Sequence, residues 1–442
     1  MSASPADHEP GSPAAASPDR PPSLLRDNAF RRYWVGQTVS VCGDQISLFA
    51  LPLVAIMVLR AESVQVGYLL AAVWLPSLFA LYVGAWAERR RRRRRIMIAA
   101  DLGRLLLLAT IPLAYACDGL TLVQLYAVAV GMGVLAVVFD VCNAPVFTAL
   151  VPAHRYIAGN SLLGASRAAA QVAGPGVGAV LVQALSAPLA LLADALSYAV
   201  SAWALSRIAP REPPAVAGVR GGLVEGVRFI AGTPVMCRAL AATATVNLFT
   251  IMVFTLFSFY AISTLGLSPA QLGFVASVGA VGGLAGAMLA GRVGDRIGVG
   301  PLLFLGCLLF PAPLLAIPAA HGTGSVVVAV LTAAEFAAAV GVAWLDIAAS
   351  SLLAALTPEG VRGRVFGAYR TVNFGTRPVG ALVAGALSAA IGVRPTLWVA
   401  AVGGVSGCVW LLSSSLWRIR TLPGGTSVET AGESAAIGDA GR

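Results

Sequence analysis

Long apolar stretches separated by short polar breaks run through most of the chain, and their lengths predict helices that cross a bilayer. Six fall at about 33–59, 64–87, 96–117, 121–143, 161–185 and 187–208, and six more at about 240–264, 268–291, 300–320, 325–348, 366–391 and 395–417. Roughly 20 apolar residues suffice to cross a hydrocarbon core of about 30 Å. The expected fold is therefore an all-α integral membrane protein with twelve transmembrane helices, divided as bundles over residues 23–208 and 239–420. Residues 1–22 are rich in Pro, Ala and Ser and lack a basic segment followed by an apolar core, so they predict a disordered tail and not a signal peptide. A Gly/Ser/Thr-rich tail is expected at 421–442, and a polar linker at 209–238. Within the linker region, GGLVEGVRFIAGTPVMCRAL (221–240) predicts an amphipathic surface helix.

The two sets of spans repeat one another. QVGY (65–68) matches QLGF (271–274) at an offset of 206, and DVCNAPVFTALVP (140–152) matches DIAASSLLAALTP (346–358) at the same offset. RAAAQVAGP (167–175) matches RTVNFGTRP (370–378) at 203. The offset is six spans long, and an even number of spans keeps both copies in one orientation. Two pseudo-symmetric six-helix bundles follow.

Composition agrees with a membrane protein: 58% hydrophobic, 11% charged, mean hydropathy +0.82. The net charge of +10 is carried entirely by arginine. It lies between apolar spans, so it reads as topology and not as a nucleic-acid surface. Arg26, Arg31 and Arg32, the run Arg89 to Arg95, Arg207 to Arg238, Arg292, Arg296, Arg362, Arg364, Arg418 and Arg420 all fall on one side of a twelve-span protein. The other side keeps Arg60, Arg394, Glu62, Asp118 and His321. The positive-inside rule then places both termini in the cytoplasm of a multi-pass protein of the inner membrane. The six cysteines lack metal-ligand spacing and read as small apolar fillers. No Gly-x-x-x-x-Gly-Lys-Ser/Thr loop occurs, so neither a nucleotide nor any other cofactor or metal is expected. His8, His154 and His321 are scattered, and no enzyme site is visible.

Two arginine-bearing turns, GAWAERRRRRRR (84–95) and GRVGDRIG (291–298), sit at equivalent places in the two halves. Both resemble the loop signature between the second and third spans of a major facilitator superfamily half. Span 1, FRRYWVGQTVSVCGDQISLFALPL (30–53), with AADLGR (99–104), Phe139–Asp140 and TPEGVRGRVFGA (357–368), is similar to the macrolide-efflux and enterobactin-exporter branch. AGPGVGA (173–179) resembles the antiporter signature of span 5 through Gly174, Pro175 and Gly178, with Ala170 where that signature has a glycine. The first loop carries Glu88 in place of the usual Asp. The resemblance implies a twelve-span secondary transporter, a cavity lined mainly by spans 1, 4, 7 and 10, and exchange of a substrate for protons.

Ionisable side chains inside spans are costly and each needs a partner or a task. Asp44 lies mid-span 1, with Gln37 on nearly the same face. A carboxylate there is suited to bind and release a proton, or to brace neighbouring backbone. Glu335 and Asp346 share a face of span 10, about three turns apart. Glu335 is the second candidate for a proton or cationic substrate, or else hydrogen-bonds a neighbouring span. Asp140–Arg167 and Asp346–Arg370 read as pseudo-symmetric gating pairs, and Asp101–Arg104 as a local ion pair at i, i+3. Arg377, beside Pro378, faces the cavity or meets Glu335; Asn247 belongs with an aromatic group in span 7, Phe249, Phe254, Phe257, Phe259 and Tyr260. Glu88 with Arg89, and Asp295 with Arg296, are expected to hold helix ends together across the bundle interface. Asp194 in span 6 reads as structural.

The expected function is secondary active transport, proton-coupled efflux of a small amphipathic drug, siderophore or natural product. The alternatives are an uptake carrier for a nutrient and a non-transporting membrane sensor. The expected partners are a small-molecule substrate, protons and membrane lipid, with no nucleic acid, and the protein is expected to be a monomer.

Overall fold

The computed structural model describes residues 24–79, 82–83, 92–152, 155–209, 222–321, 324–358 and 361–412. They form an all-helical protein; among the described residues, ten helices are long and apolar enough to cross a membrane. These are span 1 (Asn28–Val58), span 3 (Arg93–Ala116), span 4 (Leu122–Leu150), span 6 (Ala187–Ser206), span 7 (Pro234–Thr264), span 8 (Pro269–Ile297), span 9 (Val299–Ala319), span 10 (Ser325–Leu356), span 11 (Arg364–Ile391) and span 12 (Val393–Leu412). Two more helices complete twelve. Span 5 (Tyr156–Ala184) is long but carries five glycines, Pro175 and polar side chains including Arg167. Span 2 is described over Ser63–Phe79.

The repeat read from sequence recurs in backbone detail. Span 1 ends in a π-helical turn at Val54–Val58, and span 7 in one at Tyr260–Thr264, 206 residues later. The turns that follow place Arg60 at φ 51° and Gly266 at φ 68°, again one repeat apart. Glycine takes that left-handed backbone without a Cβ penalty, whereas arginine is strained there. Spans 2 and 8 then open with equivalent capping boxes, Glu62 with Gln65 and Ser268 with Gln271. Within each half the first span packs on the fifth and sixth, and the fourth on the second and third.

The halves meet through spans 2 and 11 and through spans 5 and 8. The closest approaches lie toward the arginine-poor end. Ser388 of span 11 donates to Ser63 of span 2 at 2.9 Å. A Cβ on Gly67 would stand 2.8 Å from Gly385 Cα, and one on Gly273 of span 8 would stand 2.8 Å from the Pro175 carbonyl oxygen.

Several boundaries differ from the sequence expectation: spans 4 and 10 run on to Leu150 and Leu356, and span 5 starts at Tyr156. Span 3 begins at Arg93, inside the arginine run; Arg93 is buried, and Arg94 donates to the Ile208 carbonyl oxygen. Pro234 opens span 7, well before the expected start at 240. The amphipathic helix occupies Gly222–Gly232 and docks on span 11, where Arg364 pairs with Glu225 at 2.5 Å and Ile230 packs with Met236, Val365 and Ala368. The tails and residues 210–221 of the central linker lie outside the described residues.

Candidate functional site

Two glycines draw spans 1 and 6 together. Gly36 faces the Ala204 methyl and Gly43 faces Ser197 and Asp194, so a side chain at either position would collide with span 6. This contact presents Asp44 to span 6, where the Tyr198 hydroxyl donates to its Oδ1 at 2.5 Å. One helical turn along, Ser47 donates to Asp194 Oδ2, and Ser197 donates to Asp194 Oδ1 at 3.0 Å. Span 3 closes the group. Arg104 stands 3.8 Å from Asp101, an ion pair too long for a hydrogen bond, and donates to the Leu135 carbonyl at 3.1 Å. Its guanidinium lies 4.9 Å from the ring centre of Phe139 and 5.3 Å from that of Tyr198, within cation–π range. Asp44 and Asp101 both lie in the electrostatic field of Arg104. Asp101, Arg104 and Asp194 are buried, while Asp44 is half-buried. Gln37 is buried nearby on span 1, its Nε2 making no hydrogen bond among the described residues.

Spans 7 and 11 carry the counterpart in the second half. Asn247 donates to Asn373 Oδ1 at 2.9 Å, Asn373 donates to the Tyr369 carbonyl at 3.1 Å, and the Tyr369 hydroxyl donates to Thr243 at 2.9 Å. In span 1 the Tyr33 hydroxyl donates to Asn143 at 2.6 Å, and Trp34 and Thr38 each donate to Ser166 of span 5 at 3.0 Å. Each half thus ties its first span to its fifth with neutral polar bonds. Among the aromatic residues of span 7, Phe249 packs on Gly403 of span 12, the Phe254 ring centre lies 6.3 Å from that of Phe310 in span 9, and Phe257 and Tyr260 are buried.

Glu335 is buried against span 8, its Cβ beside Gly279, and its Oε1 makes no hydrogen bond among the described residues. It is not the partner of Arg377. That guanidinium lies 4.6 Å from the ring centre of Trp74 in span 2, and the carboxylate in its field is Asp346. Asp346 lies in the field of Arg377, which stands seven residues beyond Arg370 on nearly the same face of span 11, two turns deeper into the bundle. Asp140 faces Arg104 most strongly, then Arg167, and then Arg370 from the opposite half.

The antiporter-like segment of span 5 works as a wedge. Gly174 and Gly178 face Gln45, Ile46 and Phe49 of span 1, while Pro175 and Ala179 face Gly273 of span 8. Asp295 and Arg296 are exposed in the last turn of span 8, which Gly298 ends at φ 93°. Glu88 and Arg89 lie outside the described residues. Sequence reasoning gave no role to Tyr198, Ser197 or Ser47. The signal was present: Asp194, Ser197, Tyr198 and Ser201 recur at i, i+3, i+4, i+7, a polar stripe on one helix face. Among the described residues no three His, Cys, Asp or Glu side chains gather as metal ligands.

Two repeated helical halves that meet face to face, with ionisable side chains between their spans, define a secondary membrane transporter. The sequence matches the family model of the Major Facilitator Superfamily over residues 33–331 and again over 240–437, and the chain belongs to that family. It is 26% identical over 381 residues to the multidrug efflux pump Tap of Mycolicibacterium fortuitum, covering 80% of this chain and 88% of that protein. It is likewise 26% identical over 412 residues to the multidrug efflux pump Tap of Mycobacterium tuberculosis, covering 87% of this chain and 92% of that one. Among solved structures, a bacterial homologue of the iron transporter ferroportin in an inward-facing state superposes with a TM-score of 0.70 at 17% identity, over 89% of this chain and 99% of the other. A D-xylose-proton symporter gives 0.64 at 14% identity, over 91% and 98%.

Proposed function

We propose that this chain exports a small amphipathic, drug-like molecule across the cytoplasmic membrane in exchange for protons, by alternating access, with both termini in the cytoplasm. The observation that carries the proton coupling is Asp44: a half-buried carboxylate in the middle of span 1, bonded by Tyr198 and facing the buried guanidinium of Arg104. A carboxylate so placed changes charge with its access to water, which is what a carrier needs to link proton release to a change of state. Export as the direction is supported by the 26% identity to pumps named for multidrug efflux and by the Gly-Pro-x-x-Gly segment of span 5. The arginine-rich end as the cytoplasmic one is supported by the positive-inside rule. The halves then touch at the external end, which corresponds to a conformation open toward the cytoplasm.

The test is accumulation of macrolides, cationic dyes and catecholate siderophores in an efflux-deficient bacterial host expressing the chain, with and without a protonophore. Lower accumulation that the protonophore restores is the expected result. Higher accumulation identifies an uptake carrier instead, and lower accumulation insensitive to the protonophore removes the proton.

A further inference from the structure

The first half buries more acid than its guanidinium balances. Asp44, Asp101 and Asp194 converge where spans 1, 3 and 6 meet, and Arg104 is the cation standing among them. Asp140 reaches the field of Arg104 from span 4, with Arg167 of span 5 beyond it. Arg104 pairs with Asp101 and faces Asp44. Asp194 is held differently. It is 0% exposed, and its two oxygens take the hydroxyls of Ser47 and Ser197, with Tyr198 one helical turn further along the same face of span 6. The charged group in its field is the Asp44 carboxylate, of like sign. Hydroxyl groups solvate a carboxylate but do not neutralise it, and a buried charge without a cation is costly. Two ionised carboxylates beside one tyrosine also repel each other. A proton removes both penalties.

We propose that Asp194 is a second proton-binding carboxyl, protonated in the conformation described here, and that it exchanges its proton with Asp44 through the Tyr198 hydroxyl. The proposal rests on proton-coupled transport and adds to it the place where another proton is stored. The transfer balances. The Tyr198 oxygen takes the proton of the Asp194 carboxyl as it gives its own to Asp44, so one O–H bond breaks on Asp194, one forms on Asp44, and Tyr198 ends neutral. Asp44 is the half-buried member, so it is the one placed to exchange with water. Gly43 makes the arrangement possible, because any side chain there would occupy the space of Asp194 and Ser197.

Infrared spectroscopy of the full chain in lipid vesicles at neutral pH decides the point without any substrate. Asp194→Asn is expected to remove part of the carboxylic-acid C=O band. An unchanged acid band, with the loss falling in the carboxylate band, overturns the proposal. Should Asp194→Asn fail to fold, Ser47→Ala keeps the carboxyl and removes a hydroxyl partner; the acid band is then expected to move to higher frequency, and no movement overturns the proposal. In weakly buffered solution, ethidium binding to the Asp194→Asn variant is expected to release about half the protons released by the wild type. Equal release by variant and wild type also overturns it. No release by the wild type removes the coupling proposed above, and the infrared result alone then judges Asp194.

Discussion

Gly67 and Gly273, 206 residues apart, hold the same place in the two halves, and each presses on a span of the other half. Gly67 meets Gly385 of span 11, and Gly273 meets Pro175 and Ala179 of span 5. The repeat thus supplies both halves of the seal at the arginine-poor end from one sequence element. In a membrane, where apolar burial gives helices no reason to associate, such close backbone approach through small residues is what holds spans together.

Replacing either glycine by Val is therefore expected to weaken the closed end. Overpacking costs about 1–3 kcal/mol, which moves a two-state equilibrium by about 5–150-fold. The closed-end population falls, and efflux falls with it, while the protein still inserts. Labelling of a cysteine placed at Ser388 by a membrane-impermeant thiol reagent reports the change. Unchanged labelling with normal efflux would show that the contact does not form the seal.

Asp44→Asn is expected to abolish uphill efflux with membrane insertion preserved. Tyr198→Phe keeps the Asp44 carboxyl but removes its donor. A hydrogen bond to a charged group contributes about 1.5–3 kcal/mol, so the rate of proton-driven dye efflux should fall by about 10–100-fold. Normal efflux by Asp44→Asn would remove that residue from the proton path.

Arg104 is expected to fail when truncated for electrostatic reasons and when made Lys for geometric ones. Arg104→Ala leaves Asp101 buried beside Asp44 without its cation, and breaking a buried pair costs about 3–5 kcal/mol. The double change Arg104→Ala with Asp101→Ala should recover a large part of that loss. Arg104→Lys keeps the charge but loses the planar stacking on Phe139 and Tyr198. Thermal unfolding in detergent separates the three; equal midpoints would mean that the pair carries no stability.

The span count, the repeat and Asp44 were legible because each is written in local pattern. Apolar length marks spans, a fixed offset marks duplication, and a charge inside a span stands out against lipid. Pairings were less legible. Asp140 and Asp346 hold equivalent places, yet one faces Arg104 and the other Arg377, because three-dimensional neighbours depend on helix phase and tilt. The bonding of Asp194 was not legible, because its partners, Ser47 and Ser197, are ordinary residues until spans 1 and 6 meet.

Substitution of Glu335 tests stability and function separately. Its carboxyl is buried beside Gly279 and its Oε1 lacks a hydrogen bond among the described residues, an arrangement that folding alone would not favour. An unsatisfied buried polar atom costs about 1–3 kcal/mol. Glu335→Leu has similar volume and no polar atom, so the unfolding midpoint in detergent is expected to rise. If the carboxyl binds a cationic substrate or a proton, the same variant loses efflux of cationic dyes, a stability–activity trade-off of the kind that marks functional groups. Retained efflux of an uncharged amphipathic compound alongside lost efflux of cationic dyes would assign Glu335 to substrate charge, and loss of both would assign it to the proton. A lower midpoint with full efflux of every compound would instead make Glu335 a brace between spans 8 and 10.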